Sequence, residues 1–203
     1  IINMNKKYFF LSFIVLTVVV VFIIFKLITQ KEEIQYDQVS VKDYKNSSYI
    51  IEGQSITLTD GFSEIESPSG SVSKIVTRYF GNELKHDLND DGREDTVFII
   101  TQEHGGSGKF FYAVAALNTP TGYVGSNAFL LGDRIAPQST NIDEGPTTQG
   151  TNRENVIVVN FMTRKPNEPF TAEPTVGKSV WIKLNLITMQ FGEVAQNFEG
   201  ESR

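Results

Sequence analysis

The sequence predicts an all-β ectodomain, a sandwich or partly open barrel, preceded by one N-terminal transmembrane helix. Three observations carry this prediction. Residues 8–28 are almost wholly apolar. The rest of the chain is a succession of short β-branched and aromatic runs punctuated by Gly, Pro and Asn. Two of those runs, 96–102 and 110–117, are apolar on both faces, with no long amphipathic helix between the strands, which argues for the interior of a sandwich or barrel over a parallel sheet wrapped by helices.

At 1.5 Å per residue, about 20 apolar residues match the roughly 30 Å hydrocarbon core of a bilayer. Within residues 8–28 only Ser12, Thr17 and Lys26 interrupt the apolar run. A buried core helix is the alternative, but the run is too long and too uniformly apolar for a soluble amphipathic helix. Lys6 and Lys7 precede the span, while Lys31 beyond it is followed by Glu32 and Glu33, so residues 1–7 are expected in the cytoplasm and the rest of the chain outside. Phe25 to Gln30 contains no small-residue cleavage site, which favours an uncleaved signal anchor. Met4 is a candidate translation start. Residues 29–45 are polar and charged and are expected to form a stalk, with the β-domain at 46–203.

Charge and cysteine content narrow the possibilities. The formal net charge is −6, but residues 1–30 hold three lysines and no acid, so residues 31–203 carry −9. Such a domain repels nucleic acid and attracts cations. Cysteine is absent, which removes disulfides, thiolate zinc sites and a lipid-bearing cysteine. Stability must come from packing, to which a metal can add.

The expected strands follow in order. Residues 48–52 and 55–59, rich in Ile, Thr and Tyr, form a hairpin about Gly53-Gln54. Asp60-Gly61 and Pro68-Ser69-Gly70 turn the chain, and residues 72–80 lead on as a strand, a short helix being the rival. After 96–102 and 110–117 come β-rich runs at 123–131, 134–142, 155–162, 179–184 and 189–194. The loops 143–153 and 164–177 are rich in Gly or Pro and long enough to suggest a binding rim.

The strongest chemical signal is Asp87-Leu88-Asn89-Asp90-Asp91-Gly92-Arg93-Glu94-Asp95, where five of nine residues are acidic. Side-chain oxygens at Asp87, Asn89, Asp91 and Asp95 fall at loop positions 1, 3, 5 and 9, with Gly92 at position 6. Carboxylates this close repel, and a divalent cation reverses the sign, so calcium is the expected ion and its binding is expected to be coupled to local folding. A solvated acidic turn is the alternative. Phe98 stands where an EF-hand needs its bidentate glutamate, which argues for a shorter loop between β-elements.

The pattern D-x-N-x-D-G-x-x-D entering a strand resembles the calcium loops of FG-GAP and VCBS-type extracellular β-domains. The resemblance implies a structural Ca2+ held by Asp87, Asn89, Asp91, the Arg93 carbonyl and Asp95. A single copy is present, so the likeness covers the loop and its strand and not a propeller. More broadly, this loop with Gly105-Gly106-Ser107-Gly108, Leu131-Gly132-Asp133-Arg134 and Arg164-Lys165-Pro166-Asn167-Glu168-Pro169 is similar to uncharacterised bacterial envelope proteins. That likeness implies an extracytoplasmic location and supplies no activity.

Sharper motifs fail on spacing. Gly108-Lys109 and Gly145 to Gly150 lack the full phosphate-loop pattern, and Ser107 lacks the second glycine of a nucleophile elbow, so a hairpin turn explains the glycines better. His86 abuts Asp87, but calcium prefers oxygen. Asp133-Arg134 is expected as a turn with an ion pair, and Trp181 as a core residue, its outward alternative with Lys183 being a stacking platform for a glycan. The expected function is a binding or envelope-associated module of unknown specificity, with an envelope polymer or protein as partner. The alternative is an envelope hydrolase using Glu103, His104, Glu168 or Glu173 as acid-base groups.

Overall fold

A computed structural model describes residues 43–67, 73–143 and 154–194. The expected transmembrane span 8–28, most of the stalk, the turn Pro68-Ser69-Gly70 and residues 144–153 of the first long loop lie outside the described residues. Among the described residues no helix is long and apolar enough to cross a membrane.

The described chain is all-β. A single 3-10 turn, Tyr44–Asn46, precedes twelve strands: β1 Ser48–Ile51, β2 Gln54–Thr57, β3 Phe62–Glu66, β4 Lys74–His86, β5 Asp95–Glu103, β6 Phe110–Thr119, β7 Gly122–Gly125, β8 Phe129–Asp133, β9 Ala136–Ile142, β10 Val156–Thr163, β11 Val176–Asn185 and β12 Gln190–Glu193. All the strand pairs are antiparallel. One sheet has the order β3-β4-β5-β6-β7, with β8 beside β7 on the same edge of β6; a second runs β12-β11-β10-β9; β1 and β2 form a separate hairpin. Neither large sheet closes on itself.

Burial on both faces of β5 and β6 follows from two layers laid on opposite sides. Val97, Ile99, Phe111, Ala113 and Ala115 pack against Ile157, Val159, Phe161, Val180, Ile182 and Leu184 of the second sheet. The alternate residues Phe98, Ile100, Tyr112, Val114 and Ala116 meet Tyr49, Ile51, Ile56 and Leu58 of the hairpin. Phe98 is fully buried, with the rings of Tyr44, Tyr49 and Tyr79 all 5.4–5.6 Å away, so its truncation to Ala costs about 3–5 kcal/mol.

Three local departures from the expected elements have physical reasons. The first hairpin turns at Glu52-Gly53, one residue earlier than expected, because Ile51 pairs with Gln54 and both turn residues take positive φ, 50° and 82°. A strand over 62–66, which the sequence reading leaves unassigned, is fixed by pairing with β4 and alternates exposed and half-buried residues. The expected run 123–131 breaks after Gly125: Ser126 stays bonded to Ala115 of β6 through its amide and hydroxyl, but its carbonyl and the Ala128 amide bond with Ile50, and the Asn127 amide donates to the Met189 carbonyl. A Cβ at Gly125 would lie 2.1 Å from the Ser48 carbonyl oxygen and 2.7 Å from the Tyr49 ring, so only glycine lets the hairpin approach.

Candidate cation loop and the loop rims

The loop between β4 and β5 is built by side chains folding back on their own backbone. The Asp87 carboxylate accepts the amides of Asp91 at 3.1 Å and Gly92 at 2.7 Å, and Asn89 Oδ1 accepts the Asp91 amide at 3.1 Å. Asp90 and Gly92 take positive φ, 58° and 83°, which closes the turn. The Asp91 carboxylate accepts the Arg93 amide at 2.9 Å and pairs with the Arg93 guanidinium at 2.5 Å. The same guanidinium donates from Nε to the Asn118 carbonyl at 2.7 Å.

Asp95 differs from the rest in being wholly buried. One carboxylate oxygen accepts the Leu88 amide at 2.9 Å and the other the Asn118 amide at 2.7 Å, so the residue joins the loop to the end of β6. Burial pushes its pKa up, the two amides oppose that, and the charges of Asp91 and Asp87 add to the rise. Asp87 moves the other way: desolvation pushes it up, but the amides of Gly92, Asp91, Asn89 and Asp90 outweigh this and hold it below the usual carboxylate range. Asn155 closes the loop from the second sheet, donating to the Leu88 carbonyl at 3.1 Å while its Oδ1 lies 3.0 Å from His86 Nε2. A cleft of about 170 Å³ beside it is lined by Leu88, Asp90, Glu154, Asn155, Lys183 and Leu186.

The donor chemistry of Asp87, Asn89, Asp91, Asp95 and the Arg93 carbonyl is all oxygen, as a hard cation requires. As placed, the side chains do not converge: among the described residues no three carboxylates or imidazoles lie close enough together to hold a metal. Asp91 is turned onto Arg93, and both oxygens of Asp95 already hold amides. Cation binding at this loop therefore requires Asp91 to exchange its guanidinium for the ion.

The other sequence candidates are held apart. His104 Nε2 bonds to Gln102 Oε1 at 2.8 Å, Glu103 pairs with Lys109 at 3.6 Å, Glu168 pairs with Lys165 and accepts its amide at 2.9 Å, and Glu173 is exposed. No hydrogen bond or ion pair among the described residues links any two of these four groups. A shallow cleft of about 420 Å³ contains Glu103 but has Glu64 as its other carboxylate, and each of the two is paired to a lysine.

Asp133 and Arg134 do form an ion pair, 2.6 Å long, and it is the centre of a larger tie. Asp133 also accepts the Lys109 amide at 2.9 Å, and the Arg134 amide donates to the Lys109 carbonyl at 2.8 Å. Arg164 then donates to the Arg134 carbonyl at 2.7 Å and the Ala172 carbonyl at 2.5 Å, and the Arg134 guanidinium lies 4.3 Å over the Phe170 ring. The three segments Gly105–Lys109, Leu131–Arg134 and Arg164–Phe170 are thus fastened into one rim. Partial burial raises the Asp133 pKa, but the Arg134 and Lys109 hydrogen bonds outweigh it and the net movement is downward.

Two features escape the sequence reading. Tyr44 donates to Glu83 Oε1 at 2.7 Å, Tyr79 donates to the same oxygen, and Lys45 Nζ sits 4.1 Å from the Tyr79 ring centroid. Desolvation and Glu83 together push the Tyr79 pKa up to about 12. The bulge at Gly81 and Asn82 that aims Glu83 at these tyrosines has no sequence signal beyond the glycine. Trp181, expected in the core, faces away from it: Val180, Ile182 and Leu184 line the core, and the half-buried Trp181 alternates to the other face.

No family model, curated protein or solved structure matches the chain.

Proposed function

We propose that the chain is a membrane-anchored extracytoplasmic β-module, with residues 8–28 as its anchor and one structural Ca2+ in the Asp87–Asp95 loop. The observation that supports the calcium reading is Asp95. It is a buried carboxylate whose ionisation is opposed by Asp87 and Asp91, within a loop that offers only oxygen donors. A divalent cation turns that mutual repulsion into attraction. Its role would be structural, since the loop is bonded to β6 and to Asn155, and His104, Glu103 and Glu168 are each engaged with other partners. Outside the cell, calcium is plentiful enough to fill even sites of about 10⁻⁴–10⁻³ M.

Thermal unfolding of the full chain in detergent tests the reading. Calcium at about 100 times its dissociation constant adds about 2.7 kcal/mol and raises the melting temperature, while Asp91→Ala abolishes the increment. Equal melting in calcium and in chelator sinks the calcium assignment. Protease added to intact cells or spheroplasts tests the anchor separately, since an external domain is digested and a cytoplasmic one is spared.

A further inference from the structure

The outer face of the second sheet carries an ordered polar row beside the only tryptophan in the chain. Trp181 is paired across β10 with Val158, and Val158 with Asn141 of β9. Two residues along, the neighbouring row is Ser179, Asn160 and Ser139. These side chains are already oriented: Ser179 Oγ donates to Asn160 Oδ1 at 2.5 Å, and both Asn160 Nδ2 and Asn141 Nδ2 donate to Ser139 Oγ at 3.0 Å. The bonds leave capacity, because each amide nitrogen carries a second hydrogen and each amide oxygen a second lone pair. The Trp181 indole makes no ring contact among the described residues, and its N–H has no hydrogen-bond partner there.

The geometry points to a binding face for a neutral polysaccharide chain, with a sugar ring stacked on Trp181 and its hydroxyls bonded to Asn160 and Asn141. Charge selects this occupant. The six residues of the two rows carry no formal charge and Lys183, two residues from Trp181 on the same face, adds one positive charge, whereas residues 31–203 carry −9 in all, so nucleic acid and acidic polymers are repelled by the domain and a neutral ligand is not. A protein partner of the usual kind needs a buried apolar centre within an interface of at least about 1,000 Å², and these rows offer Trp181 and Val158 alone. Scale agrees as well. The row from Ser139 to Ser179 crosses two strand spacings, about 10 Å, and lies about 7 Å from Trp181 along the strands, so one short stretch of sugars reaches both. The face is built from β9, β10 and β11 and does not depend on the cation loop.

Because Trp181 is the single tryptophan, intrinsic fluorescence reports this face directly. The full chain, in a detergent without a sugar headgroup, is titrated with neutral hexasaccharides of β-1,4-glucose, β-1,4-mannose and β-1,4-N-acetylglucosamine, and with oligogalacturonate. At least one neutral ligand is expected to shift the emission to the blue, to saturate, and to protect Trp181 from acrylamide. Asn160→Ala is expected to weaken that binding about tenfold while leaving the emission of the free protein unchanged. Trp181→Ala, with an unchanged circular dichroism spectrum, is expected to abolish retention on the corresponding insoluble polymer. The inference is overturned by unhindered quenching in all the neutral ligands at millimolar concentration, by binding confined to oligogalacturonate, or by binding that survives both substitutions.

Discussion

The buried carboxylate of Asp95 accepts the main-chain amide of Asn118 at 2.7 Å, across the gap between the acidic loop and the end of β6. Its other oxygen holds the Leu88 amide, so one side chain satisfies two backbone donors that have no strand partner there. Removing it leaves a buried donor at Leu88 and a half-buried one at Asn118 without their acceptor. Asp95→Ala is therefore expected to cost about 2–4 kcal/mol even in chelator, measured by urea unfolding of the full chain. A loss below about 0.5 kcal/mol would mean that water or another acceptor replaces the carboxylate.

Acid acts on the loop with two opposite signs. Asp87 is held low in the folded chain, so the unfolded chain takes its proton first; the stabilisation is complete above about pH 4 and is lost as pH falls through the depressed folded value. Asp95 is held high, so the folded chain takes its proton first, and its contribution declines as pH rises from about 4 through the raised folded value. Asp87→Asn in chelator should then lower the urea midpoint clearly at about pH 6 and little at about pH 3. Equal drops at both would contradict the assignment.

Arg93 competes with any cation for Asp91, since its guanidinium holds that carboxylate at 2.5 Å. The pair is partly exposed and worth about 0.2–1 kcal/mol, so Arg93→Gln should tighten calcium binding by up to about fivefold while leaving the backbone carbonyl in place. Weaker binding would indicate that the guanidinium positions the loop for the ion.

Two glycines separate steric need from conformational need. Gly125→Ala drives a Cβ into the Ser48 carbonyl and the Tyr49 ring, and should cost several kcal/mol or undock the β1–β2 hairpin. At Gly53 nothing lies within 4 Å, so Gly53→Ala carries only the penalty of its φ of 82°, about 1–2 kcal/mol. Thermal melts of the two variants check the ranking, and similar losses would refute the close approach.

Arg164 fastens the loop rim through two carbonyls, those of Arg134 and Ala172. Arg164→Ala should loosen the 164–175 segment, speeding limited proteolysis there by about tenfold with a stability loss of about 1.5–3 kcal/mol. Unchanged cleavage would show that the Asp133 and Lys109 bonds hold the rim without it.

The all-β class was legible because β5 and β6 are apolar at consecutive positions over runs too short for a core helix, a pattern that suits a strand covered on both sides. The loop was legible because its residues bond mainly to one another within nine positions. What escaped depends on distant partners. The break after Gly125 is set by the approach of Ser48 and Tyr49, and β3 is set by pairing with β4. Arg93's hold on Asp91 and the Asn118 bonds could not be read either, since no local pattern tells which carboxylate turns inward. For Trp181 the alternation with Val180, Ile182 and Leu184 contained the answer, but a lone aromatic in an apolar run reads equally as core.

The central claim is a single calcium held by the Asp87–Asp95 loop, and calorimetric titration of the chelator-treated full chain in detergent tests it most directly. One site per chain, with a dissociation constant near or below about 10⁻³ M and lost in Asp91→Ala, is the predicted result. No binding heat in the wild-type chain, with no calcium-dependent shift in melting, would contradict it.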